Sequence, residues 1–492
     1  MRLSELARAV GGRVEGRDVE VGGVTHDSRR VRPGDIFVAI AGRQANGARF
    51  VPQALASGAV AVCASEPLPG TPTLVVSDPR RTLALLAGEI HGHPDRALHL
   101  IGVTGSLGKT STTLLARTAL EAGGHEVGLI GSLGIHFGER IVETGMTTPE
   151  APAIHGALRR MVSEGATTAV MEVTSHSILL ERVAGLEFAL GVLTNLVADE
   201  HLEFHPTPEH YLQTKARFFD MLAPGAPLLA NLDDPIGGAR VRKLGRPVIG
   251  VSAEGAPDAA IEVSDVSMSV HGSRFRLRIR RPLPTIEGGT VAPTEVEVRM
   301  PILGLQQVEN AALALGAAIV AGVPPEDAAA ALARAEPMRR RMEIVREDDP
   351  AILDDTVGNP LSVRAVFDAI RGIACDGVRV LYALRGTRGE TINRRNARAI
   401  AEGVRSVGAS LVVSASDDVA DERNRVTAEE RDGALAELDA LGVAYDFEPG
   451  LRDAVRRTLE GSRQETLVLL LGAQGMDRGA DLAREELAAQ GR

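Results

Sequence analysis

The sequence predicts an α/β protein of three domains: a small N-terminal α/β unit, a central P-loop-type parallel sheet with an added β region, and a C-terminal Rossmann-like α/β unit. Three observations predict it. The chain is 492 residues long, which at roughly 150 residues per domain holds about three. A strand-like run, Leu98–Val103, leads into Gly105-Ser106-Leu107-Gly108-Lys109-Thr110 and then into a helical run, Thr110–Ala122. A strand, a glycine loop and a helix in that order form a phosphate-cradling unit. From about Met338 onward, strand and helix patterns alternate, which implies a mostly parallel sheet covered by helices.

The first domain is placed at residues 1–96. Asp35–Ile40 and Ala59–Cys63 read as short buried strands, Phe50–Ser57 and Arg81–His91 as helices. His91-Gly92-His93-Pro94 is turn-like and separates this unit from the next. The central domain, residues 97–337, has further strand-like runs at Ala169–Glu172 and Leu190–Thr194. Residues 252–300 lack a helical period. There Phe275, Leu277 and Ile279 alternate with Arg274, Arg276 and Arg278, while Val296 and Val298 alternate with Glu295 and Glu297. Two half-buried strands with opposite charges on their solvent faces account for both runs. An alanine-rich helix, Asn310–Ala321, follows. In the third domain, residues 338–492, strands are expected at Ala351–Asp355, Val378–Ala383, Ser410–Ser414 and Glu465–Leu471. Helices are expected to begin near Pro360, Asn393, Ala428 and Leu451.

Composition narrows the function classes. A hydrophobic content of 44% supports real cores, and a net charge of −11 disfavours nucleic acid or an anionic membrane as partner. No apolar segment follows the N-terminus as in a signal peptide, and no stretch approaches the ~20 residues of a membrane helix. Cys63 and Cys375 are the only cysteines, without metal or redox spacing, so a reducing cytoplasm is expected.

Lysine is nearly absent. Only Lys109, Lys215 and Lys243 occur among 54 basic residues, so a retained lysine asks for a reason. Arginine's planar, permanently charged fork replaces neither a compact ammonium between phosphates nor an amine that must sometimes be neutral. Lys109 follows the glycine loop, where it would reach the β/γ-phosphates, and Thr110 would hold Mg²⁺. This is the shorter G-x-x-G-K-T form, because Val103 stands where the longer pattern has glycine. Lys243 lies in an arginine-rich stretch and reads as a surface residue.

Lys215 lies in Tyr211-Leu212-Gln213-Thr214-Lys215-Ala216-Arg217-Phe218-Phe219. On a helix Tyr211, Lys215, Phe218 and Phe219 share a face. A lysine desolvated among rings yields some free amine, which can add CO₂ and become an anionic, metal-binding carbamate. A snorkelling lysine is the plainer alternative. Just before it, His201 and His205 are four apart, but Leu202 occupies the position where a zinc hydrolase needs glutamate. A hard Mg²⁺ bridging nucleotide phosphates suits the segment better. Glu172, at a strand end beside the phosphate loop, is well placed as a Mg²⁺ ligand. Ser175 and His176 follow it, and as neighbours on a strand end they would face opposite ways rather than form a hydrolase pair.

Together these residues resemble the Mur ligase family of ATP-dependent amide-forming enzymes of peptidoglycan assembly, and most of all its MurE type. The resemblance implies a uridine-nucleotide site in the N-terminal domain around Thr25-His26-Asp27-Ser28-Arg29-Arg30, with Ser28 and Arg29 as contacts. It implies contacts to a UDP-muramyl-dipeptide from Thr147, Thr148, Ser175, His176 and Arg182. It implies ATP contacts from Gly105, Ser106, Gly108, Lys109, Thr110, Ser111, Asn310, Arg341 and Asp354. Two Mg²⁺ ions would be held by Thr110, Glu172, His201 and a carbamylated Lys215, with Lys109, Lys215, His201 and Glu172 as the catalytic group. Gln307 stands where the family usually has asparagine, and Arg341-Met342-Glu343 is similar to its junction motif. The third domain departs from the pattern. The family's Asp-Tyr-Ala-His-x-Pro is replaced by Asp354-Asp355-Thr356-Val357-Gly358-Asn359-Pro360, without the histidine. No Asp-Asn-Pro-Arg motif, which grips diaminopimelate in many members, occurs at residues 414–423, and the Gly-Asp-Arg-Asp region has become Leu384-Arg385-Gly386-Thr387-Arg388-Gly389-Glu390.

The expected reaction has two steps: the donor carboxylate takes the ATP γ-phosphoryl group, then an amino acid's amine displaces phosphate. Three readings are kept. The first is a cytoplasmic, monomeric ligase acting on the UDP-muramyl-dipeptide and an amino acid. The second is a ligase of the same chemistry on another donor, of folylpolyglutamate or cyanophycin type. The third is a non-catalytic nucleotide-binding regulator.

Overall fold

The structure, a computed structural model, describes residues 1–41, 46–197, 204–387, 389–460, 462 and 465–491. It is mixed α/β and divides into two compact units, Met1–Glu262 with Arg278–Thr294 and Asn310–Ala328, and Val263–Leu277 with Glu295–Glu309 and Ala329–Arg492.

The first unit opens with a sheet in the spatial order Arg13–Glu15, Thr73–Val75, Ala61–Ala64, Asp35–Val38, Gly23–Thr25. Its neighbours run parallel except the first pair. Every residue of Asp35–Val38 and Ala61–Ala64 is buried, as expected of strands covered on both faces. Leu3–Val10 and Pro79–His91 supply leucines to the same core. Pro79–His91 begins two residues before the expected Arg81. Asp78 caps it by accepting from the Arg81 backbone N–H at 3.0 Å, and Pro79 fits the first turn.

A second parallel sheet of this unit runs Val248–Ser252, Leu228–Asn231, Leu190–Leu193, His99–Thr104, Thr168–Glu172, Val127–Gly131. The antiparallel hairpin Gly134–Phe137 and Arg140–Val142 extends it. The carboxyl ends of His99–Thr104 and Thr168–Glu172 lie side by side, with Glu172 opposite Val103. Loops at that edge are where open parallel sheets bind ligands.

Ser175 and His176 do not extend a strand. The strand ends at Glu172, and Thr174 caps a short helix, Ser175–Leu179, by accepting from the Ser177 N–H at 3.1 Å. The strand-end argument therefore gives way to a helical one. Ser175 is buried in the first turn, and the His176 ring meets Phe204 edge-on, centroids 4.0 Å apart. The alanine-rich helix also starts earlier than expected and runs Leu305–Val320.

In the second unit the paired charges read from the alternating runs are present. Arg276 bonds Glu295 at 3.0 Å and Arg274 pairs with Glu297, between the adjacent strands Gly272–Ile279 and Thr294–Met300. The Rossmann-like sheet runs Glu343–Arg346, Ala351–Asp355, Thr466–Gly472, Gly377–Ala383, Ser410–Ser414, Asp446–Glu448. It is parallel apart from its first pair. Helices Pro360–Ile370, Glu390–Val407, Ala428–Ala440 and Leu451–Glu460 connect its strands. Thr466–Gly472 is buried throughout, which suits a strand in the middle of the sheet.

Candidate active site

Strand His99–Thr104 is buried almost to its first residue, and the chain leaves it through Gly105-Ser106-Leu107-Gly108 into helix Lys109–Ala122. Gly108 has φ +82°, a left-handed conformation, and a Cβ there would run into the Asn310 side-chain oxygen. Only glycine both makes this turn and admits Asn310. Asn310, an expected ATP contact, also accepts from the Thr112 hydroxyl at 3.3 Å, which places it against the phosphate loop. The first N–H groups of the helix have no intrahelical partner and, with the helix dipole, favour an anion at the loop. Ser111 is buried in the first turn of this helix.

The loop is braced by side chains, of which pattern reading did not single out Thr194 and Asn195. Asn195 accepts from the Leu107 N–H at 2.9 Å and donates to the Leu107 carbonyl at 3.2 Å. The Thr194 hydroxyl donates to the same carbonyl at 2.6 Å. Ser106 Oγ lies 2.7 Å from the Tyr211 hydroxyl and accepts from the Val197 N–H at 2.8 Å. Thr194 and Asn195 follow strand Leu190–Leu193, which neighbours the phosphate-loop strand. Their only sequence signal is position just past a parallel strand.

Both singled-out lysines reach this loop. Lys109 Nζ donates to the carbonyls of Gly105 at 2.9 Å and Ser106 at 2.8 Å. Lys215, on helix Pro208–Ala216, is buried and donates to the Gly105 carbonyl at 2.6 Å and the Thr104 hydroxyl at 3.4 Å. Its ammonium lies 5.6 Å from the Tyr211 ring centroid. Tyr211, Phe218 and Phe219 are buried with it, as the shared-face reading requires, although the helix tightens to 3₁₀ from Arg217 onward.

Glu172 is buried at the end of its strand, with the Thr110 hydroxyl 3.0 and 3.1 Å from its two oxygens. It also accepts from the Ser132 N–H at 2.8 Å and the Ser132 hydroxyl at 3.3 Å. Gly131 makes room for this carboxylate, since a Cβ there would strike Glu172 Oε1. Thr147 Oγ1 lies 3.0 Å from Ser132 Oγ, and the Thr148 hydroxyl donates to the Glu172 carbonyl at 2.8 Å. Arg182 donates to the Thr148 carbonyl at 3.1 Å and to Glu150 at 2.8 Å. The phosphate loop, Thr110, Glu172, Thr147, Thr148 and Arg182 are thus linked by hydrogen bonds. The hydroxyl and carboxylate oxygens of Thr110 and Glu172 are the hard donor set that Mg²⁺ takes. His201 lies outside the described residues.

Ser28 and Arg29 lie just past the edge strand Gly23–Thr25 of the N-terminal sheet. Ser28 is buried and donates to Gln53 at 2.9 Å, while Arg29 is exposed and grips Asp27 through two bonds of 2.8 and 2.9 Å. That pairing holds the Asp27 carboxyl at about 2. Burial lowers the His26 pKa, against the pull of the Glu150 carboxylate.

Arg341 and Asp354 belong to the second unit. Arg341 is exposed, and its neighbour Arg340, which pattern reading passed over, is the buried one. Arg340 donates to the Ala473 carbonyl at 2.9 Å, pairs with Asp477, and reaches Asp354 at 3.4 Å. Burial pushes Asp354 up to about 7 despite Arg340, and Asp355, which accepts from the Met342 N–H at 2.7 Å, to about 6.

A glycine loop at the carboxyl edge of a parallel sheet, feeding a helix and faced by a buried carboxylate, defines the class as a P-loop nucleotide-binding α/β protein. Family comparison then specifies it. Residues 20–79 match the model described as Mur ligase family, catalytic domain; residues 103–318 match the Mur ligase middle domain; residues 340–474 match the Mur ligase, glutamate ligase domain. The chain belongs to the Mur ligase family. It is 35% identical to the UDP-N-acetylmuramyl-tripeptide synthetase of Roseiflexus sp. (strain RS-1) over 475 residues, covering 92% of this chain and 89% of that protein. It is also 35% identical to the UDP-N-acetylmuramoyl-L-alanyl-D-glutamate--2,6-diaminopimelate ligase of Streptomyces avermitilis over 399 residues, covering 79% of this chain and 76% of the relative. A solved structure of a ligase with that second name shares the fold, with a TM-score of 0.72 at 21% identity, covering 100% of this chain and 99% of that one.

Proposed function

We propose that this protein is an ATP-dependent amide-bond ligase that adds an amino acid to UDP-N-acetylmuramoyl-L-alanyl-D-glutamate in peptidoglycan-precursor synthesis. One observation carries the reading: two of the chain's three lysines converge on the Gly105 carbonyl of a phosphate loop whose mouth also holds Thr110 and Glu172. The relatives' printed names support the donor and the reaction class.

Each group has a task in that chemistry. Backbone N–H groups of residues 105–111 cradle the phosphates of ATP, and Lys109 leaves the loop carbonyls to neutralise charge on the transferring group. Arg182, beside Thr147 and Thr148, binds an anionic part of the donor. Asn310 contacts the base, and Ser28 and Arg29 contact the uridine nucleotide. Thr110, Glu172, His201 and Lys215 would hold two Mg²⁺ ions, which when bound offset polyphosphate charge. Lys215, buried against Tyr211, serves there as a carbamate, formed when its amine adds CO₂ and releases a proton. The donor carboxylate attacks the γ-phosphorus and ADP leaves. The acceptor's amine then attacks the acyl phosphate and inorganic phosphate leaves. The acyl phosphate must be kept from water between the two steps. Arg341 and Asp354 are proposed as further nucleotide-binding residues. No helix among the described residues is long and apolar enough to cross a membrane, and we place the protein in the cytoplasm as a monomer.

The third domain carries no Asp-Asn-Pro-Arg motif, so the acceptor is best found by a panel. Purified protein is incubated with ATP, Mg²⁺, UDP-muramyl-dipeptide and individual amino acids, and phosphate release and product mass are measured. Acceptor-dependent phosphate with that donor, and a product heavier by one residue, supports the proposal. Turnover only with a folate or peptide donor overturns the donor assignment. Nucleotide binding without turnover overturns the ligase.

A further inference from the structure

We infer that Arg80 and Arg81 form a clamp that fixes the position of Arg182, which makes Arg80 a positioning residue for the donor. This inference rests on the reading of Arg182 as a donor contact.

Both arginines lie in the first turn of helix Pro79–His91, held there by the Asp78 cap. They grip consecutive residues of the turn after helix Ser175–Leu179. Arg80 Nε donates to the Leu180 carbonyl at 2.8 Å, and its Nη2 donates to Glu150 Oε1 at 3.1 Å. Arg81 Nη1 donates to Glu181 Oε2 at 3.2 Å, and Arg217 takes the other Glu181 oxygen. Glu181 has φ +52°, the left-handed region, which is costly for a residue with a Cβ. Such a conformation persists only where its surroundings over-determine it, and it concentrates at functional positions. Here three guanidiniums over-determine it.

The residue so aimed is Arg182. Its Nε donates to the same Glu150 Oε1 that Arg80 holds, its Nη1 donates to the Thr148 carbonyl, and its own N–H donates to the Ser177 carbonyl at 2.8 Å. Its Nη2 makes no hydrogen bond among the described residues, which leaves that edge of the fork for a ligand. The side chains of Arg182, Glu150 and Arg80 are 15, 17 and 22% exposed. Two guanidiniums share one carboxylate in a largely dry setting, so the group carries net positive charge and suits an anion. A long side chain left to itself would lose rotamer freedom on binding; one already pinned at two atoms does not. Arg80 works through two donors at a fixed angle, one to the turn and one to Glu150, and lysine's single ammonium cannot reproduce both.

The test uses the full chain and steady-state kinetics with UDP-N-acetylmuramoyl-L-alanyl-D-glutamate, with binding of that donor and of ADP measured by calorimetry. Arg80→Lys is expected to raise donor KM and Kd about tenfold while kcat and ADP affinity stay within about twofold. In an Arg182→Ala background the same substitution is expected to have no further effect, because a residue acting through Arg182 has nothing left to position. Arg81→Gln, which keeps a neutral donor, is expected to show the same split more weakly. Donor binding unchanged in Arg80→Lys overturns the clamp while the ligase reading stands. A parallel loss of ADP affinity and donor affinity marks a general structural role and also overturns it. No donor binding by the unsubstituted protein overturns both.

Discussion

The ammonium groups of Lys109 and Lys215 share one acceptor, the Gly105 carbonyl, at 2.9 and 2.6 Å. Two cations on one oxygen repel each other, and the arrangement suits a loop that expects an anion between them. Polyphosphate would draw Lys109 outward along the helix N-terminus, and a carbamate on Lys215 would reverse the sign of its side. Lys109→Met is therefore expected to reduce kcat by about 10²–10³, measured as acceptor-dependent phosphate release, with the fold retained by circular dichroism.

Lys215→Ala tests the carbamate separately. The substitution removes a buried side chain and its bond to the loop. Activity is expected to fall to background and to return in part with high formate or acetate, whose carboxylate can occupy the vacated space. Absence of rescue would count against the carbamate and leave the ligase intact.

Gly108→Ala places a Cβ against Asn310 at a left-handed φ. The backbone strain alone is roughly 1–2 kcal/mol, and relief requires moving either the loop or the asparagine. Nucleotide affinity is expected to drop at least about tenfold, equivalent to ~1.4 kcal/mol, read by calorimetry with ADP.

Stability at low pH should depend on His155. It is buried on helix Ala151–Ser163 with neither ring nitrogen hydrogen-bonded among the described residues, and it faces His91 and His93, the latter bonded to Glu89 at 3.1 Å. Burial lowers its pKa to about 3. A folded pKa below the unfolded value means that its contribution is present above the ordinary histidine value of 6.5 and is lost as pH falls toward 3. The loss is about 1.4 kcal/mol per pH unit. In urea denaturation between pH 7 and 4, His155→Leu should flatten that decline.

Asp354 and Asp355 act with the opposite sign. Burial raises them to about 7 and about 6. A raised folded pKa gives stability that is full below the unfolded value near 3.8 and is lost as pH climbs through 6 to 7. The groups facing Asp354 are Arg340, Glu343 and Asp355. Asp355→Asn keeps an oxygen for the Met342 N–H and removes the charge. Its urea midpoint relative to the unsubstituted protein should therefore rise as pH goes from 4 to 7.

Much of the fold is legible residue by residue. The strands Ala351–Asp355 and Ser410–Ser414 lie where the pattern puts them, because an uninterrupted apolar run between turn residues has few other solutions. The paired charges of Arg274, Arg276, Glu295 and Glu297 follow from period-two alternation. Ser175 and His176 lie on a helix rather than at a strand end because Thr174 caps a new helix just past Glu172. Arg340 is not marked by any motif, and only its burial in the fold sets it apart from the exposed Arg341. Arg80 and Asn195 carry no local mark: each acts on a partner 70 or more positions away.

From the sequence alone came the chemical parts: a glycine loop, two retained lysines, a strand-end carboxylate and the alternation that makes parallel sheets. Such signals operate over a few residues, through backbone sterics, turn chemistry and the periodicity of burial. The tertiary structure decided which parts meet. Lys215 reaches Gly105 across 110 positions and Arg80 reaches Leu180 across 100. Those meetings depend on which strands lie side by side and on where helices pack across them, a balance of burial summed over whole sheets that no short segment encodes.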